Sequence, residues 1–164
     1  MPKLILDGQA VEDSFRVLRE DDAIPDTGDI LLSWSRWLTD GIARQESGQK
    51  TGVWLASDEL VETLNNSICQ ADVVAIEFPK FADGRGFSTA YLLRSRLGYQ
   101  GQLRAIGDIL LDQLFYLNRV GFNAFAIPDD KSLEKGLSLL NPIRVKYQAS
   151  TDIPSPLYRQ TALA

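Results

Sequence analysis

The chain has 164 residues, 45% of them hydrophobic and 24% charged, and its 22 acids and 17 bases leave a net charge of −5. That is the composition of one soluble globular domain, and the acidic balance argues against a general nucleic-acid binder, which carries a basic face. The absence of histidine and the single cysteine, Cys69, exclude Ser-His triads, His-ligated metals, an intramolecular disulfide and a four-cysteine cluster within the chain.

From the start, an acid at Asp7 interrupts the apolar run that a signal peptide would need, and no later run reaches the length of a membrane span. A cytoplasmic location without membrane contact is expected. Residues 1–28 read as a short arm or hairpin. From residue 29 a strand–helix rhythm sets in. Asp29 to Ser33 reads as a strand, and Trp34, Trp37, Leu38 and Ile42 mark one face of a helix that Gly48 closes. Gly52 to Ala56 is the next strand. Ser57 then suits an N-cap, with Asp58 and Glu59 in the first turn of a helix that ends near Cys69. A packed thiol is expected there.

Val73 to Phe78 is the clearest buried strand, and the helix beginning near Phe87 carries Tyr91, Leu92 and Leu97 to a stop at Gly98. Leu103 to Ile106, a helix through Leu110, Leu114, Leu117 and Val120 to Gly121, and Ala124 to Ile127 repeat the pattern. A helix over Ser132 to Leu140 and a last strand at Arg144 to Tyr147 complete it. Strands 20 to 30 residues apart are βα units of a mostly parallel sheet. The expected architecture is one α/β domain over 1–148 with βα repeats over 29–148. A partial TIM-like barrel is favoured over an open doubly wound sheet. Residues 149–164, polar and with Pro154 and Pro156, read as a loose or partner-docked tail. Exposed strand edges allow a homodimer.

Parallel strands gather their carboxyl ends on one rim. Here that rim holds Ala56-Ser57, the loop from Glu77 to Ser88, Gly107-Asp108 and Pro128-Asp129-Asp130. Three chemistries compete for it. Lys80, Asp83, Gly84, Arg85 and Gly86 could form an oxyanion site at a helix N-terminus, joined by Arg104 if that side chain reaches the rim. The competing reading pairs Asp83 with Arg85 as a helix cap. Glu77, Asp108 and Asp129 could hold Mg²⁺, although Asp108 is equally a cap and Asp129 a turn residue. Gly84-Arg85-Gly86-Phe87-Ser88-Thr89 has only two of the glycines of a dinucleotide fingerprint. Trp34, Trp37 and Trp54 read as core, Phe115 and Tyr116 as split between core and rim, and Arg94 and Arg96 as solvated. Glu77 and Asp108 are the candidate acid/base residues. No cofactor and no resident metal is assigned.

The segment Glu77 to Ser88, followed by Leu92-Leu93-Arg94, Leu103 to Asp108, Asp112-Gln113 and Arg119 to Phe125, resembles an uncharacterised bacterial family. Its members form a domain of unknown function labelled as a candidate oxidoreductase of sulfite reduction. The resemblance implies a place beside sulfite reductase or another enzyme of sulfate assimilation. It carries over no catalytic residue, and where members commonly have a cysteine this chain has Val120. One cysteine cannot hold the iron–sulfur cluster of a sirohaem reductase. The function expected from this resemblance is an accessory protein of assimilatory sulfite reduction that binds an oxyanion or the reductase. The alternatives are an oxidoreductase or other enzyme acting on a small anion at the same rim, and a non-catalytic interaction module.

Overall fold

A computed structural model describes residues 3–140 and 146–160. The chain opens with a hairpin, β1 (Lys3–Leu6) and β2 (Gln9–Glu12), turned at Asp7 and Gly8, both at positive φ (49° and 78°). An Asp-Gly pair suits such a tight turn because neither residue is strongly penalised there. The short β3 (Arg16–Val17) follows, then β4 (Ile30–Ser33), β5 (Thr51–Leu55), β6 (Val73–Phe78), β7 (Gln102–Gly107) and β8 (Ala124–Ile127). They form one eight-stranded sheet in the order β2-β1-β8-β7-β6-β5-β4-β3. β3 to β8 are parallel in sequence order, and β1 pairs antiparallel with both β2 and β8.

The connection between β2 and β3 dictates the sheet's shape. These strands are its two edges. In a flat sheet they would lie roughly 33 Å apart, seven spacings of about 4.7 Å. Yet only residues 13 to 15 separate Glu12 from Arg16, a reach of at most about 15 Å. The sheet therefore curls into a half-barrel, and three residues bridge its open side.

Alternation along the strands sorts the side chains into an outer and an inner set. Val53, Leu55, Val74, Ile76, Phe78, Leu103, Ala105, Phe125 and Ile127 join the core beneath the helices. Leu31, Trp54, Val73, Ala75 and Ile106 line the concave side, where Phe15, Val17, Ala56 and Ala126 pack on them. That interior is filled. A Cβ on Gly52 would stand 2.6 Å from Leu31 and 3.0 Å from Val73, so the concave interior at this point leaves no room for a ligand.

On the outer side the first helix comes in three pieces: α1 (Trp34–Arg36), a π-turn over Trp37–Gly41, and α2 (Ile42–Glu46), closed by Gly48 at φ 88°. The wider turn rotates the expected face. Trp37 is fully buried and Gly41 lies against its ring, while Leu38 is exposed. No α-helix forms after β5. Two 3₁₀ turns, Val61–Thr63 and Asn66–Gln70, take its place. Glu59 folds back to accept from the Ala56 amide (2.6 Å) instead of facing a helix dipole, and Asn65 accepts from the Ser67 amide (2.9 Å). Such local side-chain bonds compete with helix propagation. Val61, Leu64 and Ile68 are buried all the same, and Cys69, expected to be packed, is exposed.

α3 (Arg85–Ser95), α4 (Leu114–Val120, entered through a 3₁₀ turn at Leu111–Gln113) and α5 (Leu133–Leu139, capped by Ser132) match the expected helices. Arg94 is not solvated. Half-buried, it donates to the carbonyls of Gly121 (3.0 Å), Tyr99 (2.7 Å) and Gly101 (2.9 Å) and fastens α3 to two turns. Of the strand expected at Arg144 to Tyr147, residues 144–145 lie outside the described residues, and Lys146 and Tyr147 are not in a strand. Beyond it, Ser150 and Thr151 donate to the carbonyl of Arg119 at the end of α4, while Lys146 and Arg119 both hold Asp152. Residues 146–153 are thus tied to the domain ahead of a short α6 (Leu157–Gln160). No helix among the described residues is long and apolar enough to cross a membrane.

Candidate functional site

The rim at the carboxyl ends of the parallel strands and the concave side behind it hold three distinct groups. The first is the loop from Pro79 to Gly84. Phe81 sits at its tip with its backbone held on both sides: its amide donates to Asp108 Oδ2 (3.1 Å) and its carbonyl accepts from Gln113 Nε2 (2.8 Å). Asp108 is therefore a cap for this loop, with Lys131 Nζ at 3.8 Å from its other oxygen. Gly107 makes the approach feasible. It stands at φ 91°, and a Cβ there would run into the backbone of Phe78. The ring of Phe81 is half exposed, and Lys80 is exposed.

Arg85 opens α3 and meets Asp83 through two bonds, Nε to Oδ1 (3.0 Å) and Nη2 to Oδ2 (2.7 Å), and donates to Ser57 Oγ (2.9 Å). Asp83 also accepts from the Arg85 amide (3.2 Å). These bonds hold the Asp83 carboxyl well below the usual carboxylate range and push the guanidinium up. The positive charge at the helix start is thereby matched by a neighbouring acid. Gly86 serves packing: a Cβ would stand 2.7 Å from the Phe78 ring.

The second group lies inside the curl. Arg104, considered above for the oxyanion site, points to the concave side two positions short of the rim and is 2% exposed. Its Nη1 donates to both oxygens of Asp13 at 2.8 Å, and its guanidinium lies 5.3 Å from the centroid of Phe15. With its amide oriented to satisfy both partners, Gln102 accepts the remaining Nε and Nη2 donors at 3.1 and 2.8 Å. The three-residue bridge is thus plugged into the sheet by a buried fork, and Arg104 does not join Lys80 or Arg85.

The third group is the mouth above Trp54, which the sequence reading missed. Trp54 is nearly buried, and its indole Nε1 donates to the Leu18 carbonyl (2.9 Å). Arg19 reaches over from the end of β3, with its guanidinium 4.8 Å from the indole centroid. It meets Glu77 through Nη1 to Oε2 (3.1 Å) and Nη2 to Oε1 (2.6 Å). Glu59, folded back onto the end of β5, has its carboxyl raised by burial and secondarily by Asp58 and Glu20. Period-2 alternation put Trp54 and Glu77 on one face, but nothing in the sequence brought Arg19 to them across a curl.

Glu77, Asp108 and Asp129 do not converge, and no group of three or more Cys, Asp or Glu among the described residues could hold a metal ion. A separate cleft of about 590 Å³ lies on the outer side, between α3, α4 and residues 149–154, and Tyr91 and Asn118 are among its walls.

No curated protein and no solved structure matches the chain. A family model described as a bacterial protein of unknown function (DUF934) matches residues 52–158, from β5 through the segment tied to α4. That stretch supplies the Phe81 loop, Arg85, Glu77 and Arg104, whereas Arg19 and Asp13 precede it. The chain belongs to this bacterial family of unknown function.

Proposed function

We propose that the protein is an accessory protein of assimilatory sulfite reduction that holds the reductase through the rim of a partial TIM-like barrel. The sulfite context comes from the sequence resemblance over residues 76–126. The choice of docking over oxyanion binding comes from the rim. Asp108 and Gln113 pin the backbone of Phe81 from both sides while its ring stays half exposed beside Lys80. A rigid turn that presents an aromatic ring and a cation to solvent suits the anchor of an interface. Arg85, committed to Asp83 and Ser57, offers a free oxyanion little.

Capture of purified assimilatory sulfite reductase by the wild-type protein tests this. A Lys80→Glu/Phe81→Ser variant that loses capture at an unchanged melting temperature supports the docking reading. Equal capture by both proteins overturns it. Calorimetric titration with sulfite, with sulfate and chloride as controls, tests the oxyanion branch directly, and loss of a sulfite signal in Arg85→Ala would restore that branch.

The second reading is an enzyme at the same rim. Glu77 and Asp108 are its candidate acid/base residues, and the half-buried Glu59 is a third. A stoichiometric flavin seen between roughly 350 and 460 nm, or a stoichiometric metal, would favour it. The tail-docking module has less support, because residues 146–153 are bonded back onto α4.

A further inference from the structure

We infer that the mouth above Trp54 is a recognition site for a guanidinium-bearing ligand, and that the chain's own Arg19 occupies it in this structure. The inference does not rest on the sulfite reading.

An aromatic face with a carboxylate at its edge is the usual way a protein receives a planar cation. Here the indole of Trp54 is fixed by its bond to Leu18, and Glu77 lies where a guanidinium stacked on that indole forks onto it. The group that satisfies both comes from the protein itself. Arg19 is held at its backbone, where its amide donates to Asp22 Oδ2 (2.8 Å) and its carbonyl accepts from Arg36 Nη1 (2.6 Å). Its side chain is 57% exposed. The head can therefore swing into solvent while the backbone stays in place. An exposed pair of this kind contributes little, so its displacement costs little.

The surroundings favour a cation as the replacement. The segments at this end of the strands, residues 18–22, 56–62, 77–85, 107–113 and 128–134, carry thirteen acids against four basic residues (Arg19, Lys80, Arg85 and Lys131). Their net charge is 4 − 13 = −9, against −5 for the whole chain. Glu77 and Asp22 are the carboxylates that act on the Arg19 guanidinium, so once Arg19 withdraws they leave the mouth negative. An anionic ligand would meet that field unfavourably, and a guanidinium would meet it favourably.

Agmatine is the probe, titrated by calorimetry into the wild-type protein and into Arg19→Ala, with Glu77→Gln added to each. Removing the internal competitor should tighten agmatine binding about three- to fivefold, and adding Glu77→Gln should abolish the gain. Arg19→Lys, which keeps the charge and loses the planar fork, should fall between wild type and Arg19→Ala. Butylamine, an ammonium without the fork, should bind more weakly than agmatine. Circular dichroism and the melting temperature establish that each variant is folded. The inference is overturned if folded Arg19→Ala binds agmatine no tighter than wild type, or if Glu77→Gln leaves its affinity unchanged. Reductase capture by Arg19→Ala reports separately on the docking reading, which involves Phe81 and not Arg19.

Discussion

Two arginines in this molecule make nearly the same contact and mean different things by it. Arg104 and Arg19 each meet a carboxylate through two bonds, and each lays its guanidinium about 5 Å from an aromatic centroid, Phe15 for one and Trp54 for the other. Arg104 is 2% exposed and Asp13 11%; for Arg19 and Glu77 the values are 57% and 22%. Burial makes the first pair expensive to break, because either partner left alone is an unpaired charge out of water. Exposure makes the second exchangeable, because water and salt replace the bond at little cost. One fork closes the sheet, and the other sits at its mouth.

The largest effect should come from Arg104→Met, which strands Asp13 inside the curl and should cost about 3–5 kcal/mol in urea unfolding. Adding Asp13→Leu should recover most of that loss, since an apolar pair of similar volume is often as stable as a buried ion pair. A double variant no better than the single would mean that the charge itself shapes the bridge. Next comes Phe15→Ala, which removes the half-buried ring beneath Arg104 and should cost about 2 kcal/mol, less than truncation of a fully buried phenylalanine. At the mouth, Arg19→Ala should shift stability by no more than about 1 kcal/mol, and 1 M salt should erase the difference. A loss as large as that of Arg104→Met would make the two forks equivalent and sink the distinction.

The smallest effect is a matter of pH. The folded Glu59 carboxyl is raised, chiefly by burial, so folding favours its protonated form. Its ionisation costs nothing in acid, where both states are protonated, and the cost grows as pH rises through the unfolded and then the folded value. Glu59→Gln should therefore melt slightly higher than wild type at neutral pH and equally in acid. A difference that grows in acid would show that the carboxylate stabilises the fold.

Much of this was readable from residues. Val73–Phe78 and Ala124–Ile127 are the strands that apolar runs between turn signals predict, and Gly48, Gly98 and Gly121 end their helices at positive φ. The helix expected after β5 failed because Glu59 and Asn65 bond to nearby amides, a competition that propensity does not resolve. Arg104 was ambiguous for another reason. Alternation gives a side chain's face but not its depth within a curled sheet. The pairing of Asp83 with Arg85 was one of two local readings, and the contact that selects it, Ser57, comes from a different strand end. The mouth was invisible because Arg19 reaches Glu77 across 58 residues of chain.

The three-residue bridge also bears on the order of folding. Because β1 pairs with β8, the first strand has no lasting neighbour beyond its own hairpin until the last described strand has been made. Asp13 waits for a partner 91 residues downstream. A chain emerging from the ribosome must carry an unpaired hairpin edge through most of its synthesis, and long-range closures of this kind are slow to form and open to aggregation. The same connection that makes the finished sheet compact leaves its opening segment the longest exposed.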